Sequence, residues 1–489
     1  MLTQLKRFSF LVTPMLLLVV LLLRVVVYLQ DRSLMIDEAN LALNIVEKNG
    51  IEFFQSLEYH QYCPPIFLLL TKWSSLLFGV HEWSLKILPF LAGLMLLGLM
   101  VVSLKKLIKT PVIHWYILLV LGFSDLAIRY NTELKQYSVD AFIALLLIYK
   151  ALEHKEVAWG LRQTLFWSGL GGVAVWTSMP SIFILAAIGF AFLYQQWLAF
   201  RKIPLGVVVT GAFWLINFGV YFWLILYVDA RSDVLQEYHG RFFFECLPNS
   251  ETAWQNNYDL LRSLLTMITD QTVVGLLLAA LAIGFGMYQV IKQDKFKALL
   301  LLLPIAFTLL ASNLSLYSLL PRLILFLLPI FLLIMAIGLD AVWQKMSSIP
   351  KVLVFALLLI SVVNKQGYQY FWTRLEIENS KAVLAYIVEN ASKEDLVYVQ
   401  QGAMPAFIFY NSMHANAHHL KHFYLADWND DPAVTLREQA WNSSTFWLFF
   451  AHTPPDKKAH DLEAVRQFAR PKNWQYEVIE ASAYAFEKQ

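Results

Sequence analysis

The chain has 489 residues, 58% hydrophobic and only 15% charged, where an average globular protein has about 45–50% and about 25%. A net charge of +2 provides no field for gathering phosphates, which excludes a nucleic-acid binder, and the apolar content excludes a cytosolic enzyme. The charges are unevenly spread: residues 365–489 carry 12 of the 38 Lys/Arg and 15 of the 36 Asp/Glu. Two parts are therefore expected, a lipid-soluble one over 1–364 and a water-soluble one over 365–489. Two cysteines rule out a disulfide framework and a Cys-rich zinc site. There is no Walker A sequence, no GxGxxG after a strand and no DxD, and the Gly169–Gly172 cluster lies in an apolar run, as in helix packing.

Met1–Leu29 begins with Lys6 and Arg7 and continues through an apolar run long enough to cross about 30 Å of hydrocarbon. No small-residue cleavage site follows, so it reads as an anchor rather than a removable leader. Further apolar spans fall near 84–104, 112–128, 136–152, 164–178, 181–199, 205–228, 271–290, 298–312, 322–340 and 350–363, which makes about eleven with the first. With the N-terminus in the cytoplasm, the inner loops hold Lys105, Lys106, Lys109, Lys150, Lys155, Arg162, Arg201, Lys202, Lys292, Lys295, Lys297, Lys345 and Lys351. The outer segments are longer yet hold fewer cations, the positive-inside pattern. An odd number of spans puts the C-terminal part outside.

Segment 30–83 is too long for a hairpin between membrane helices, and long loops in compact proteins tend to be functional. It opens with Asp37–Glu38, where Ile36, Leu41 and Ile45 suggest a short helix lying on the bilayer. His60-Gln61 and Pro64-Pro65 follow, then the apolar stretch Ile66–Phe78, too short to span comfortably. Carboxylates beside lipid are costly unless solvated or paired; the alternative role for Asp37 and Glu38 is to cap the surface helix. A second cluster runs from Asp125 to Asp140, in which Glu133, Tyr137 and Asp140 share one helix face. They mark a substrate path or, with Lys135, a charge pairing that only holds helices together. Segment 229–270 holds Asp229, Arg231, Asp233, Glu237, His239, Arg241 and Glu245 and is expected to cover the site as substrate binds. Arg322, at the outer mouth of an apolar helix, either snorkels to lipid phosphates or binds one particular phosphate.

In the tail, Asp395–Gln400 and Ser444–Ala451 read as strands. Lys381–Glu389 and Lys457–Phe468 read as amphipathic helices, the second with Asp456 as N-cap. The sum is a small α/β domain. His414, His418, His419 and His422 crowd into it, either as metal ligands at helical spacing or as a polar surface turn.

Outward-facing carboxylates, an outward-facing Arg and adjacent apolar grooves are what a lipid-linked phosphorylated substrate needs: a base, a phosphate clamp and room for the tail. Residues 1–365 also resemble GT-C-type integral-membrane glycosyltransferases near the family 39 and protein-O-mannosyltransferase/aminoarabinose-transferase group. The resemblance rests on Asp37–Glu38, on His60-Gln61 with Pro64-Pro65, and on Phe78-Gly79 with Glu82-Trp83-Ser84-Leu85-Lys86. Glu133-Leu134-Lys135-Gln136-Tyr137-Ser138-Val139-Asp140 and Pro321-Arg322-Leu323 complete it. It implies a mainly α, GT-C-like polytopic fold with surface helices in its long first outer loop. It also implies sugar transfer from a polyprenyl-phosphate donor to a lipid, glycan or protein acceptor outside the cytoplasm, with inversion. Asp37 would be the general base, with Glu38 beside it. His60, Gln61, Glu133, Tyr137 and Asp140 would bind or orient substrate, and the carboxylates would hold a divalent ion if one is used; no other cofactor is implied. Arg322, with Lys135, would neutralise the departing lipid phosphate. Relatives often carry Arg where Lys135 stands, and Lys cannot make a two-pronged grip on phosphate.

The implied location is a bacterial inner membrane, where Cys63 and Cys246 would both lie outside and a disulfide between them would pin the first loop to segment 229–270. A secondary transporter would place charges near the bilayer midplane and show internal repeats, neither of which is seen apart from Arg24. A ligase or polymerase of lipid-linked glycans shares donor and location and stays open.

Overall fold

The computed structural model describes residues 2–227, 233–269, 272–363, 366–439 and 443–488; Asp229 and Arg231 lie outside them. The first helices are α1 (Leu2–Tyr28), α2 (Ile36–Glu47), α3 (Pro65–Phe78), α4 (Glu82–Leu107), α5 (Pro111–Gly122), α6 (Asp125–Asn131), α7 (Tyr137–His154) and α8 (Leu161–Thr177). There follow α9 (Ser181–Phe200), α10 (Leu205–Tyr221), α11 (Asp233–Gly240), α12 (Glu251–Thr266), α13 (Val273–Gln293), α14 (Lys295–Asn313), α15 (Leu328–Lys345) and α16 (Ser348–Val363).

Each of the eleven stretches expected to span overlaps a helix among the described residues. Among the described residues seven helices are long and apolar enough to cross a membrane, or eight if α5 and α6, bent by 57° at their junction, form one broken span. The bend falls where Phe123 ends α5 and Ser124 starts α6, its Oγ accepting the Ala127 N–H. Of the others, α7 contains Asp140, Lys150 and Glu153, while α8 and α16 are shorter. The protein is an integral membrane protein.

The Leu325–Lys345 span is 78% buried, against 28% for Leu11–Tyr28, so α15 forms the axis of the bundle. Its close contact with α13 depends on two glycines: a Cβ on Gly286 would overlap the Ile334 carbonyl, and one on Gly338 the Ala282 carbonyl. Small residues let membrane helices approach backbone to backbone. Gly171 does the same for the Trp214 ring of α10, as the apolar glycine cluster predicted.

The tail contains α17 (Ser380–Asn390), α18 (Met404–Ile408), α19 (Pro432–Gln439) and α20 (Pro455–Arg466). Its five-stranded sheet comprises β1 (Leu396–Val399), β2 (Phe423–Leu425), β3 (Thr445–Ala451), β4 (Ala469–Val478) and β5 (Ala481–Lys488), in the order β2-β1-β3-β5-β4. β1 is parallel to β2 and β3, and β5 is antiparallel to β3 and β4. Strand periodicity splits the sheet residues between two cores. Val397, Val399, Trp447, Phe449 and Ala483 join the core that continues into the membrane helices, with Val383, Leu384 and Ile387 of α17. Tyr398, Phe446, Leu448, Phe450 and Phe486 pack instead with Leu462 and Val465 of α20. One correction concerns α20: Pro454 is its N-cap and Asp456 sits inside the first turn.

The helix predicted at the start of the first loop forms as α2, but it does not lie on lipid. Glu38, Ala39 and every residue from Leu41 to Ile45 are buried, with α18 and the turn Phe409–Met413 packed over them. The tail thus sits directly above the loop that carries Asp37.

Candidate functional site

Four connectors meet at one end of the bundle: the first long loop, the α6–α7 turn, the segment before α12 and the turn before α15. Asp37 stands in the first turn of α2, and its Oδ2 is 3.1 Å from Nη1 of Arg322, 285 residues away. The two side chains keep 30% and 22% of their exposure, so the pair is reachable from outside. Burial pushes the Asp37 carboxyl up, but Lys135, Arg322 and His452 together outweigh this and hold it below its usual range. Asp37 is therefore an ionised carboxylate at neutral pH.

Arg322 also donates through Nη2 to the Tyr238 hydroxyl at 3.4 Å, and its guanidinium lies 6.0 Å from that ring's centre. Segment 229–270, expected to cover the site, thus reaches Arg322 through Tyr238, while Arg322 Nε has no hydrogen-bond partner among the described residues. Tyr137 is buried nearby, edge-on to Tyr130 at 5.0 Å.

Glu38 needs a correction as a substrate-facing group. It is fully buried and both its oxygens are taken: Arg32 donates at 2.6 and 3.2 Å, the Leu134 N–H at 2.7 Å and the Met35 N–H at 3.2 Å. Lys86 stands 3.6 Å away. A carboxylate so enclosed ties the first loop to the α6–α7 turn and cannot reach a substrate. Glu133 is likewise buried and paired with Arg129 at 3.1 Å. Burial and the adjacent Glu38 push its carboxyl above the ordinary range, against the pull of Arg32 and Arg129.

Lys135 Nζ donates to Gln61 Oε1 at 2.6 Å, joining two predicted residues. Gln61 donates in turn to the Tyr59 carbonyl at 3.2 Å. Tyr59 and His60 both adopt left-handed backbone, φ 62° and 52°, which presents an exposed His60 at the tip of a strained turn. The neighbouring Tyr62 hydrogen-bonds Tyr221 at the end of α10. Asp140 is buried in the first turn of α7, and its Oδ1 has no hydrogen-bond partner among the described residues.

Three of the four candidate carboxylates thus already hold protein cations. No group of three or more His, Cys, Asp or Glu among the described residues could hold a metal ion. This donor set does not fit a divalent ion. The tail histidines do not form the helical ligand pair: the chain beyond Met413 is irregular, and His414 is buried with Nε2 2.9 Å from Glu82. Cys63 is a buried free thiol 3.5 Å from Gln136, and Cys246 is free and exposed.

Sequence reasoning missed the tail's part in the site. Glu378 accepts the Ile36 N–H at 3.2 Å, and Tyr410 accepts the Leu34 N–H at 2.8 Å. Lys381 bridges Glu82 at 2.7 Å and Asp31 at 3.4 Å. These contacts join positions more than 290 residues apart, for which no local pattern exists. Arg32 and Lys86 carried a signal, since Arg32 is a cation in the loop that holds Glu38 and Lys86 one in the first turns of α4, the membrane helix that follows it.

No protein-family model matches the chain, and no curated protein does either. Solved structures do. ArnT from Cupriavidus metallidurans in the apo state is similar at 14% identity and a TM-score of 0.51, over 99% of this chain and 98% of that one. The same protein bound to undecaprenyl phosphate is similar at 14% and 0.51, over 97% of each chain. The Archaeoglobus fulgidus oligosaccharyltransferase, in a complex with Zn and sulfate, gives 13% and 0.51 over 96% of this chain and 72% of that one. At such identities the likeness establishes the fold alone, and it is the GT-C membrane fold implied by the sequence resemblance.

Proposed function

We propose that the protein is a membrane glycosyltransferase that moves a sugar from a polyprenyl-phosphate donor to a hydroxyl acceptor on the extracytoplasmic side, with inversion. The observation that carries this reading is the half-exposed Asp37–Arg322 pair at the end of an apolar bundle. A carboxylate and a guanidinium in contact are the two groups that direct displacement at a sugar phosphate requires. The fold shared with a protein crystallised with undecaprenyl phosphate supports the choice of donor.

In this mechanism the donor phosphate binds Arg322, joining Asp37 and Tyr238 as its partners. Asp37 then takes the proton of the acceptor hydroxyl as that oxygen forms its bond to the anomeric carbon. The bond from that carbon to the phosphate oxygen breaks on the opposite face, and its electron pair leaves on the lipid phosphate beside Arg322. Lys135, held by Gln61, supplies positive charge without a fork. His60, exposed at its turn, contacts sugar or acceptor, Tyr137 and Asp140 stay buried in α7 until substrate binds, and Glu133 and Glu38 hold the loops. Residues 1–364 carry the chemistry, the N-terminus is cytoplasmic, and residues 365–489 lie outside.

The test is a proteoliposome assay with a panel of polyprenyl-phosphate sugars, scoring donor consumption. One sugar lipid should be consumed by the wild-type protein. Consumption of none, with every acceptor class offered, removes the reading.

A further inference from the structure

Helix α2 starts with an awkward sequence. Its N-cap position holds Met35, which has no side-chain oxygen for the helix's free N–H groups, and Ser, Thr, Asp or Asn would normally serve there. The missing acceptor comes from the other end of the chain. Glu378 Oε2 accepts the Ile36 N–H at 3.2 Å across 342 residues, and the residue next to Ile36 is Asp37. Glu378 is itself fixed: it is buried, and Ser380 Oγ donates to its Oε1 at 2.6 Å. The same tail segment holds the approach to the helix, because Lys381 N donates to Ser33 Oγ at 3.2 Å and the Tyr410 hydroxyl engages Leu34 N and Ser33 Oγ. Residues 33, 34 and 36 are thus all tied to the tail before the chain reaches Asp37.

We propose that Glu378 is a positioning residue for sugar transfer: it caps α2 in place of a local N-cap and so sets where the Asp37 carboxylate stands. The tail thereby becomes part of the catalytic apparatus without touching the reacting atoms. The inference rests on the glycosyltransferase reading above. Burial, with Glu38 and Glu480 nearby, pushes the Glu378 carboxyl up to about 7 against the Ser380 and Ile36 hydrogen bonds, and among the described residues those two hydrogen bonds hold it, with no ion pair.

The experiment uses the full-length protein in nanodiscs as wild type, Glu378→Ala, Glu378→Gln and Asp37→Asn. Hydrogen exchange over residues 33–40 should quicken in Glu378→Ala and stay near wild type in Glu378→Gln, whose amide oxygen still accepts the Ile36 N–H. With the consumed donor, kcat should fall about fivefold in Glu378→Ala, the factor that a lost side-chain cap carries. Affinity for undecaprenyl phosphate should stay within about twofold, and the Gln variant should recover most of kcat. Unchanged exchange and turnover in Glu378→Ala overturn the proposal, as does a Gln variant as slow as Ala. If Glu378→Ala does not fold, Tyr410→Phe, which removes the acceptor of Leu34 N, stands in with the same expectations. An active Asp37→Asn protein overturns the parent reading instead; an inactive Asp37→Asn beside a fully active Glu378→Ala overturns this inference alone.

Discussion

Asp37 and Arg322 illustrate how two residues of modest individual meaning acquire a role by meeting. Asp37→Asn preserves size and hydrogen bonding but removes the base, so turnover should drop at least about a hundredfold with unchanged membrane insertion, as read by donor consumption and membrane yield. The pH dependence follows from the sign of the shift. Because Asp37 is held below its ordinary range, the base form persists as pH falls and is lost only below the usual carboxylate pKa. The acid limb of kcat/KM should therefore lie low. Arg322→Ala removes one of the cations responsible, so that limb should move to higher pH while donor affinity falls about tenfold or more; titration of kcat/KM and undecaprenyl-phosphate binding check both. Glu38 teaches the opposite lesson. In sequence it is as acidic as its neighbour, yet Arg32, Lys86 and two backbone N–H groups consume it.

At the scale of elements, membrane spans and the first-loop helix could be read from apolar runs because a helix must bury or immerse its side chains locally. The tail's strands were legible only in part. β3 is an almost unbroken apolar run, but β4 is an edge strand that contains Arg470, Pro471, Lys472 and Asn473, none of them buried. Edge strands carry such residues to block further pairing, and this erases the alternation that announces a strand. The α13–α15 contact makes its own prediction. Gly338→Leu drives a side chain into the Ala282 carbonyl, so the helices must separate. Thermal unfolding in detergent should shift downward, by about 1–3 kcal/mol of stability, whereas Gly284→Leu, at a position open to space, should leave it near wild type.

Across the whole molecule, the sorting of scarce charges predicted that the first loop, the α6–α7 turn, Arg322 and the tail share one side, and their contacts with one another agree. On the proposed orientation, a membrane-impermeant maleimide applied to intact cells should label exposed Cys246 and spare buried Cys63. Labelling only after the inner leaflet is opened would reverse the orientation. The sequence alone determined that this chain lives in a bilayer, where its apolar helices lie and which connectors carry acidic and basic groups, because hydrocarbon imposes its rules residue by residue along each helix. Which carboxylate stays open to solvent was decided only by the tertiary structure. Arg32 and Lys86 enclose Glu38, Arg322 leaves Asp37 half open, and Glu378 from the tail completes the helix on which Asp37 stands. Charge pairing acts through space at a few ångströms, and neighbours in space can be hundreds of residues apart in the chain.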